Sequence, residues 1–323
     1  MNSFDSIQQL IKEELSVFEE KFRGSVQSKV PLLDKIMQYI IKRKGKQVRP
    51  MFVFLSARLF GEVNDATYRA AALVELLHTA TLVHDDVVDD SYERRGFFSI
   101  NALWKNKVAV LVGDYLLSKG LLLSLNNNDF ETLKILSDAV KKMSEGELLQ
   151  IERSRSLNLS EEVYFEIIRN TTASLLASSC GAGAWSTTQD AEITKTMQDF
   201  GEKAGIAFQI KDDLFDYGSV AVGKPTGNDI KEKKLTLPII YTLNKVNPGK
   251  KKELIYILKN ENRQRKYIQQ VIDEVHSSGG IAYAEEKMFS FRNQALEILN
   301  QFPQNDIRNG LEELVRFTTD RKY

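Results

Sequence analysis

Apolar residues recur at three- and four-residue steps along nearly the whole chain, the spacing of one face of a helix. Residues 4–23 carry Phe4, Ile7, Leu10, Ile11, Leu15 and Phe18 in that rhythm. Residues 30–43 and 50–60 read as two further helices, parted by Lys44-Gly45 and the Arg49-Pro50 step, because a residue before proline is pushed out of the helical region. Residues 66–90 form a long helix whose upper part is apolar almost all round, the mark of a central, buried helix. The same periodicity places helices at 107–125, 129–155, 160–185, 189–217, 230–245, 250–258, 262–277, 280–301 and 304–318. No alternating five-residue runs joined by hairpin dipeptides appear, and no low-complexity linker divides the chain. The expected architecture is one all-α domain over residues 1–323, larger than usual, built from a dozen or so helices.

Composition narrows the class. With 42% apolar and 27% charged residues the chain reads as globular. Lys plus Arg equals Asp plus Glu at 44 each, so no general attraction to nucleic acid is expected. The lone Cys180 excludes an intrachain disulfide, and His78, His84 and His276 are too few and too scattered for a zinc site. The opening MNSFDSIQQLIKEEL is amphipathic and does not read as a signal sequence. The most apolar run, 108–125, contains Asp114 and Lys119, so no integral membrane segment is expected and the default location is cytoplasmic.

Candidate chemistry centres on residues 78–95, HTATLVHDDVVDDSYERR. Asp85 and Asp89 stack one helical turn apart, with Asp86 beside them and His78 two turns earlier on nearly the same stripe. Like charges at this spacing repel by about 0.2–0.5 kcal/mol per exposed pair, so something cationic should neutralise them. A second box repeats the spacing in GIAFQIKDDLFD: Asp212, Asp213 and Asp216, with Phe208 and Gln209 one turn before. Two such boxes on apolar helices point to carboxylates meeting across a cavity. Oxygen-only ligands favour Mg²⁺, which keeps waters and shares its coordination with a substrate's phosphates. Cations flank the boxes: Lys46 and Arg49 in KGKQVRP, Arg94 and Arg95 after the first box, Lys224 and Lys234 in GKPTGNDIKEKKLTLP after the second. Arginine forks and lysine point charges both suit phosphate oxygens.

Together these stretches resemble the trans-isoprenyl diphosphate synthases, the polyprenyl synthetase family. GKQVRP, ELLHTATLVHDDVVDDSYERRG, AVLVGDYLL, GEL, TTASLL, AFQIKDDLFDY and GKPTGNDIKEKKLTLP follow in that family's order. The resemblance implies an all-α isoprenoid-synthase bundle around a deep central cavity, normally a homodimer. It implies that Asp85, Asp86, Asp89, Asp212 and Asp216 bind Mg²⁺ on an allylic diphosphate, with Asp213 supporting them. Arg94, Lys224 and Lys234 match residues that hold the allylic diphosphate. Thr172 and Gln209 match that side of the site. Lys46, Arg49, His78 and Arg95 match the isopentenyl diphosphate pocket, and Phe208 a position lining the reacting groups. The implied reaction ionises the allylic C–O bond and lets the double bond of isopentenyl diphosphate attack the cation. It needs no side-chain nucleophile and a dry cavity.

Small Ala80 and Thr81, five and four residues before Asp85, leave the space under the first box open. In short-chain relatives bulky aromatics stand here. A long-chain product of about C30–C40 is therefore expected, since a 20-residue helix of about 30 Å can flank a long tail. Leu136, Val140 and Met143 share one helix face and are candidates for a deeper floor. Three departures stand out. Thr171 occupies the family's usual lysine position before Thr172, Phe98 replaces a frequent proline, and Lys233 replaces a frequent glycine before Lys234. Competing readings are a short-chain (C15–C20) synthase, a terpene cyclase, a non-catalytic regulatory subunit of a heteromeric synthase and a di-iron bundle. The intact second box disfavours the cyclase and the subunit. The lack of paired Glu-x-x-His motifs disfavours the di-iron bundle.

Overall fold

A computed structural model describes residues 3–43, 45–94, 96–156, 160–218 and 227–320. Sixteen α-helices follow in order among them: α1 Ser3–Leu10, α2 Lys12–Ser25, α3 Pro31–Lys42, α4 Val48–Arg58, α5 Asp65–Val88, α6 Ile100–Leu125, α7 Phe130–Ser156, α8 Glu161–Ile168, α9 Ser174–Thr188, α10 Ala191–Phe215, α11 Asn228–Lys231, α12 Leu237–Lys245, α13 Pro248–Tyr256, α14 Arg265–Ser277, α15 Gly280–Leu299 and α16 Asp306–Asp320. The expected all-α class holds. Three predicted helices are each broken: 4–23 at Ile11, 160–185 by a π-helical turn over Arg169–Ala173, and 230–245 between α11 and α12. The structure also contains a small hairpin, β1 Glu93–Arg94 against β2 Phe97–Phe98, turning at Gly96 with φ +76°. Two-residue strands are too short for alternation to reveal them.

The chain forms two compact units. The first comprises Met1–Val140, Ser178–Gln198 and Gln304–Leu311; the second comprises Lys141–Ala177, Asp199–Pro303 and Glu312–Tyr323. In the first, α5 starts at a reciprocal cap: the Asn64 side chain accepts from the Thr67 N–H, and the Asn64 N–H donates to the Thr67 hydroxyl. Ala70 to Val74, Leu76, Leu77, Ala80 and Val83 are buried along it, as its all-round apolar sequence requires. Helix α6 lies against α5, and Val112 and Leu116 share a core with Leu76, Ala80 and Val83. Contact is close enough that a Cβ on Gly113 would come within 2.1 Å of the His84 ring. The chain bends at Lys105 (φ 71°, ψ 159°) inside α6, which is why helical periodicity becomes legible only from about residue 107. The opposite side of α6 exposes Leu103, Val110, Leu111, Leu121, Leu122 and Leu125. This helix is long and apolar enough to cross a membrane by length and composition, yet its other face is packed into the unit's core.

The second unit packs Ile206, Ala207, Ile210, Ile239, Ile240, Val271 and Ala284 into one core. Along α10, Gly201 and Gly205 let the chain of 173–177 approach: a Cβ at either glycine would lie 2.7 Å from the Cα of Ala177 or 2.6 Å from that of Ala173. Gln209 and Asp213 continue the same four-residue row. Backbones drawn this close at the glycines leave the next two turns within hydrogen-bonding reach of the facing segment.

Candidate active site

Both aspartate boxes end their helices. Asp85 and Asp86 lie in the last turn of α5 and Asp89 is its C-cap, its N–H bonded to the Asp85 carbonyl at 2.8 Å. Asp212 and Asp213 lie in the last turn of α10, and Asp216 follows at once. The negative end of a helix dipole disfavours carboxylates by about 0.3–1 kcal/mol each, so both placements call for a cation.

Within the first box the three members differ. Asp85 is half-buried and Asp89 exposed. Asp86 is buried, and its carbonyl accepts from the Asn101 side chain (3.0 Å) and the Ser91 N–H (2.9 Å). Asp86 lines a cavity of about 150 Å³ together with Arg43, Gln47, His78 and Phe97. In the same unit, Lys46 and Arg49 flank the start of α4, whose N-cap Gln47 has left-handed φ (52°) and no side-chain cap bond. A helix dipole and two cations together favour an anion. Arg49 Nη1 donates to His78 Nε2 at 2.9 Å. Arginine has no acceptor, so the imidazole accepts here and carries its proton on Nδ1. Arg94 lies on β1; Arg95 and Lys224 lie outside the described residues.

The second box is tied into its unit. Tyr164 donates to Asp213 Oδ2 at 2.7 Å, Gln209 Nε2 donates to Asp213 Oδ1 at 2.8 Å, and Thr172 donates to Gln209 Oε1 at 2.6 Å. Both Asp213 oxygens are therefore occupied, which fits the supporting role expected of it. The Asp216 carboxylate accepts from the N–H groups of Asn228 (2.8 Å) and Asp229 (3.0 Å), and its carbonyl from Gly227. It thus anchors the N-terminus of α11. Asp212 is exposed, the member best placed to take an external ligand.

Sequence reasoning missed Asp229, which is half-buried just beyond Gly227. Burial pushes the carboxyls of Asp213 and Asp229 up, to about 7 and about 8; the Tyr164 and Gln209 hydrogen bonds and the charge of Lys234 oppose it at Asp213, while repulsion from Asp213 and Asp216 adds to it at Asp229. Asp216 is also raised by burial, against the pull of its backbone donors. Three carboxyls thus crowd one lysine, an excess of negative charge that a divalent cation would relieve. The oxygen-only donor set fits Mg²⁺. The signal that could have found Asp229 is its place in GNDIKEKK after a turn glycine, where a helix start brings N–H groups and a carboxylate together. The neighbouring lysines part company. Lys233, at φ 60°, donates to the Lys259 carbonyl (2.7 Å), while Lys234 pairs with Glu232 (2.7 Å) and feels Asp213 and Asp229. Lys234, and not Lys233, is the lysine whose charge acts on these carboxyls.

Thr171 lies in the π-helical turn, its hydroxyl bonded to the Ile167 carbonyl at 3.0 Å. A Cβ on Gly146 of α7 would come 2.8 Å from its methyl group, so the side chain is packed into helix backbone. Arg169 does not stand in for the missing lysine; it pairs with Glu202 at 3.3 Å. Phe208 is half-buried one turn before Asp212. Of the residues expected to set product length, Ala80 and Leu136 are fully buried, Thr81, Val140 and Met143 half-buried. The Thr81 hydroxyl bonds back to the His78 carbonyl (2.9 Å).

Comparison with known proteins gives the family. The heptaprenyl diphosphate synthase component 2 of Bacillus subtilis (strain 168) is 32% identical over 317 residues, covering 97% of this chain and 89% of that one. A crystal structure of a polyprenyl synthase from Caulobacter crescentus CB15, complexed with calcium and isoprenyl diphosphate, superposes with a TM-score of 0.91 at 34% identity, covering 99% of this chain and 98% of that one. A geranylgeranyl pyrophosphate synthase from Bacteroides thetaiotaomicron gives a TM-score of 0.85 at 37% identity, covering 99% and 100%. Residues 30–275 match the polyprenyl synthetase family, and with its two aspartate boxes in place the chain belongs to that family of prenyltransferases, which condense isopentenyl diphosphate with an allylic diphosphate.

Proposed function

We propose that the protein is a long-chain trans-prenyl diphosphate synthase, making a product of about C30–C40 (an expectation resting on the small residues at 80 and 81). The observation that carries the reading is the pair of aspartate boxes at the negative ends of α5 and α10. In this reading Asp85, Asp89 and Asp212 hold Mg²⁺ through exposed or half-buried carboxylates. Asp86, Asp213 and Asp216 brace them from buried or bonded positions, and Asp229 adds charge. Bound Mg²⁺ supplies electrostatic stabilisation of the departing diphosphate. Among the described residues no three acidic, His or Cys side chains form a complete cage, which accords with a cation that shares its coordination with the substrate's phosphates.

The chain's own residues do the remaining work. Arg94, Lys224 and Lys234 hold the allylic diphosphate on one side. Lys46, Arg49, His78 and Arg95 hold isopentenyl diphosphate at the start of α4, with the neutral His78 fixed by Arg49. Phe208 lines the reacting groups, and the site must exclude water, which would quench the allylic cation. The proton lost after condensation goes to the released diphosphate. No side chain need act as nucleophile.

The exposed leucine face of α6 supports a homodimer, since an apolar stripe of this size is normally covered by a partner. Incubation with Mg²⁺, isopentenyl diphosphate and farnesyl diphosphate, followed by sizing of the product, tests the reading. Products of about C30–C40 are expected. A C20 limit would point to the short-chain alternative, and no elongation by the purified protein to a regulatory subunit.

A further inference from the structure

Tyr164 has no role in the chemistry above, yet its hydroxyl is aimed at the second box. The ring is 3% exposed, on α8, and the hydroxyl meets Asp213 Oδ2 at 2.7 Å. Asp213 is 7% exposed and receives Gln209 on its other oxygen at 2.8 Å; Gln209 in turn receives Thr172 at 2.6 Å. The direction of this chain is determined by chemistry. Thr172 donates to the Gln209 carbonyl, so the Gln209 amide presents its NH₂ to Asp213. The Thr172 hydrogen is then committed to Gln209. Its lone pairs, and the second N–H of Gln209, are left for other partners.

We propose that Tyr164 is a positioning residue for the allylic half of the site. By filling one oxygen of Asp213 it holds the carboxylate in the rotamer that orients Gln209, and through Gln209 the Thr172 hydroxyl. The proposal deepens the prenyltransferase reading and rests on it, because Gln209 and Thr172 matter only if a diphosphate binds beside them. The packing supports the same conclusion. The row Gly201, Gly205, Gln209, Asp213 on α10 begins with two glycines that admit Ala177 and Ala173 at backbone distance. The second half of the row therefore meets the segment carrying Thr172 and Tyr164 with little room for alternative rotamers. The π-helical turn over Arg169–Ala173 adds one residue between Tyr164 and Ala173 relative to an α-helical turn. That shift lets both Thr172 and Tyr164 address one face of α10.

The test is steady-state kinetics of Tyr164→Phe, which keeps the ring and removes only the hydroxyl. A rise of about ten-fold in KM for the allylic diphosphate is expected, from loss of one hydrogen bond to a charged group. KM for isopentenyl diphosphate should move less than two-fold. On an Asp213→Asn background the same substitution should add less than two-fold, because the route to Gln209 is already cut. Equal changes for both substrates, no change for either, or an undiminished effect on the Asp213→Asn background would each overturn the proposal. If Tyr164→Phe does not fold, Asp213→Asn alone must still raise the allylic KM selectively, and failure to do so counts equally against it. Wild-type protein that elongates nothing would instead overturn the prenyltransferase reading, so the two failures are distinct.

Discussion

The two aspartate boxes share one spacing and differ in almost everything else. The first ends α5 with Asp85 half-buried and Asp89 exposed, and only Asp86 is turned inward. The second keeps Asp212 exposed and binds its other two members to Tyr164, Gln209 and the backbone of Asn228 and Asp229. A repeated motif therefore does not imply repeated roles. The first box is a helix end braced by α6, where the Asn101 side chain bonds the Asp86 carbonyl. The second is a hydrogen-bonded hub that also holds the start of α11. Buried carboxylates need hydrogen-bond partners, and the two boxes meet that need to different degrees.

The sharpest way to break the comparison is to remove one member of each box that is not buried. Asp85→Asn and Asp212→Asn should each lower kcat by about a thousand-fold or more, on the scale seen when a transition-state charge loses its stabilising partner. Their thermal unfolding should move little, since neither carboxylate is buried. A Tm loss of more than a few degrees for Asp212→Asn would mean that the exposed member is structural after all.

Next in size is a pH effect confined to the second box. The unfolded chain loses the protons of Asp213 and Asp229 near their ordinary value of 3.8, whereas the fold retains them to about 7 and about 8. The fold then binds more protons than the unfolded chain across that window, so metal-free stability falls as pH rises from about 4 to about 8. Urea titrations at several pH values should show the decline. Asp229→Asn should flatten it, and Mg²⁺ with inorganic diphosphate should restore stability at the alkaline end. A metal-free protein of constant stability across this range would contradict the crowding of carboxyls around Lys234.

The wall under the first box offers a smaller contrast. Ala80 is fully buried among Val112, Leu116 and Val83, whereas Thr81 is half-buried. Ala80→Phe should shorten the product and also destabilise the fold by about 1–3 kcal/mol through overpacking. Thr81→Phe should shorten the product at less cost. Chromatographic sizing of products, with Tm measured alongside, separates the two; unchanged chain length in both would remove α5 as a length determinant. The least effect is expected from Thr171→Lys. The methyl group of Thr171 sits against Gly146, so a lysine must first leave that contact. A gain in kcat/KM of no more than about ten-fold, one charge-assisted hydrogen bond, is expected. No gain would show that this chain's site is complete without the cation.

Much of this was legible in the sequence. Helices α3, α4, α5, α7, α10 and α13 to α16 lie close to their predicted spans, because their apolar residues keep the helical period and turn residues bound them. Both boxes stand out in the sequence by their spacing, and the structure places each at the end of a helix. The hairpin at 93–98, the π-helical turn and the break at Ile11 were not, since each is shorter than the window over which periodicity can be recognised. Asp229 was passed over as one more charge in a polar stretch.

Sequence alone determined the all-α class, the family and the two acidic clusters, because helical period and motif spacing are properties of local chain geometry. Tertiary structure decided which aspartate is exposed and which is bound, that Lys234 and not Lys233 answers the second box, and that Arg169 pairs with Glu202. Those outcomes depend on burial and on partners distant in the chain. Desolvation and hydrogen bonding act between neighbours in space, and spacing along a single helix carries no record of them.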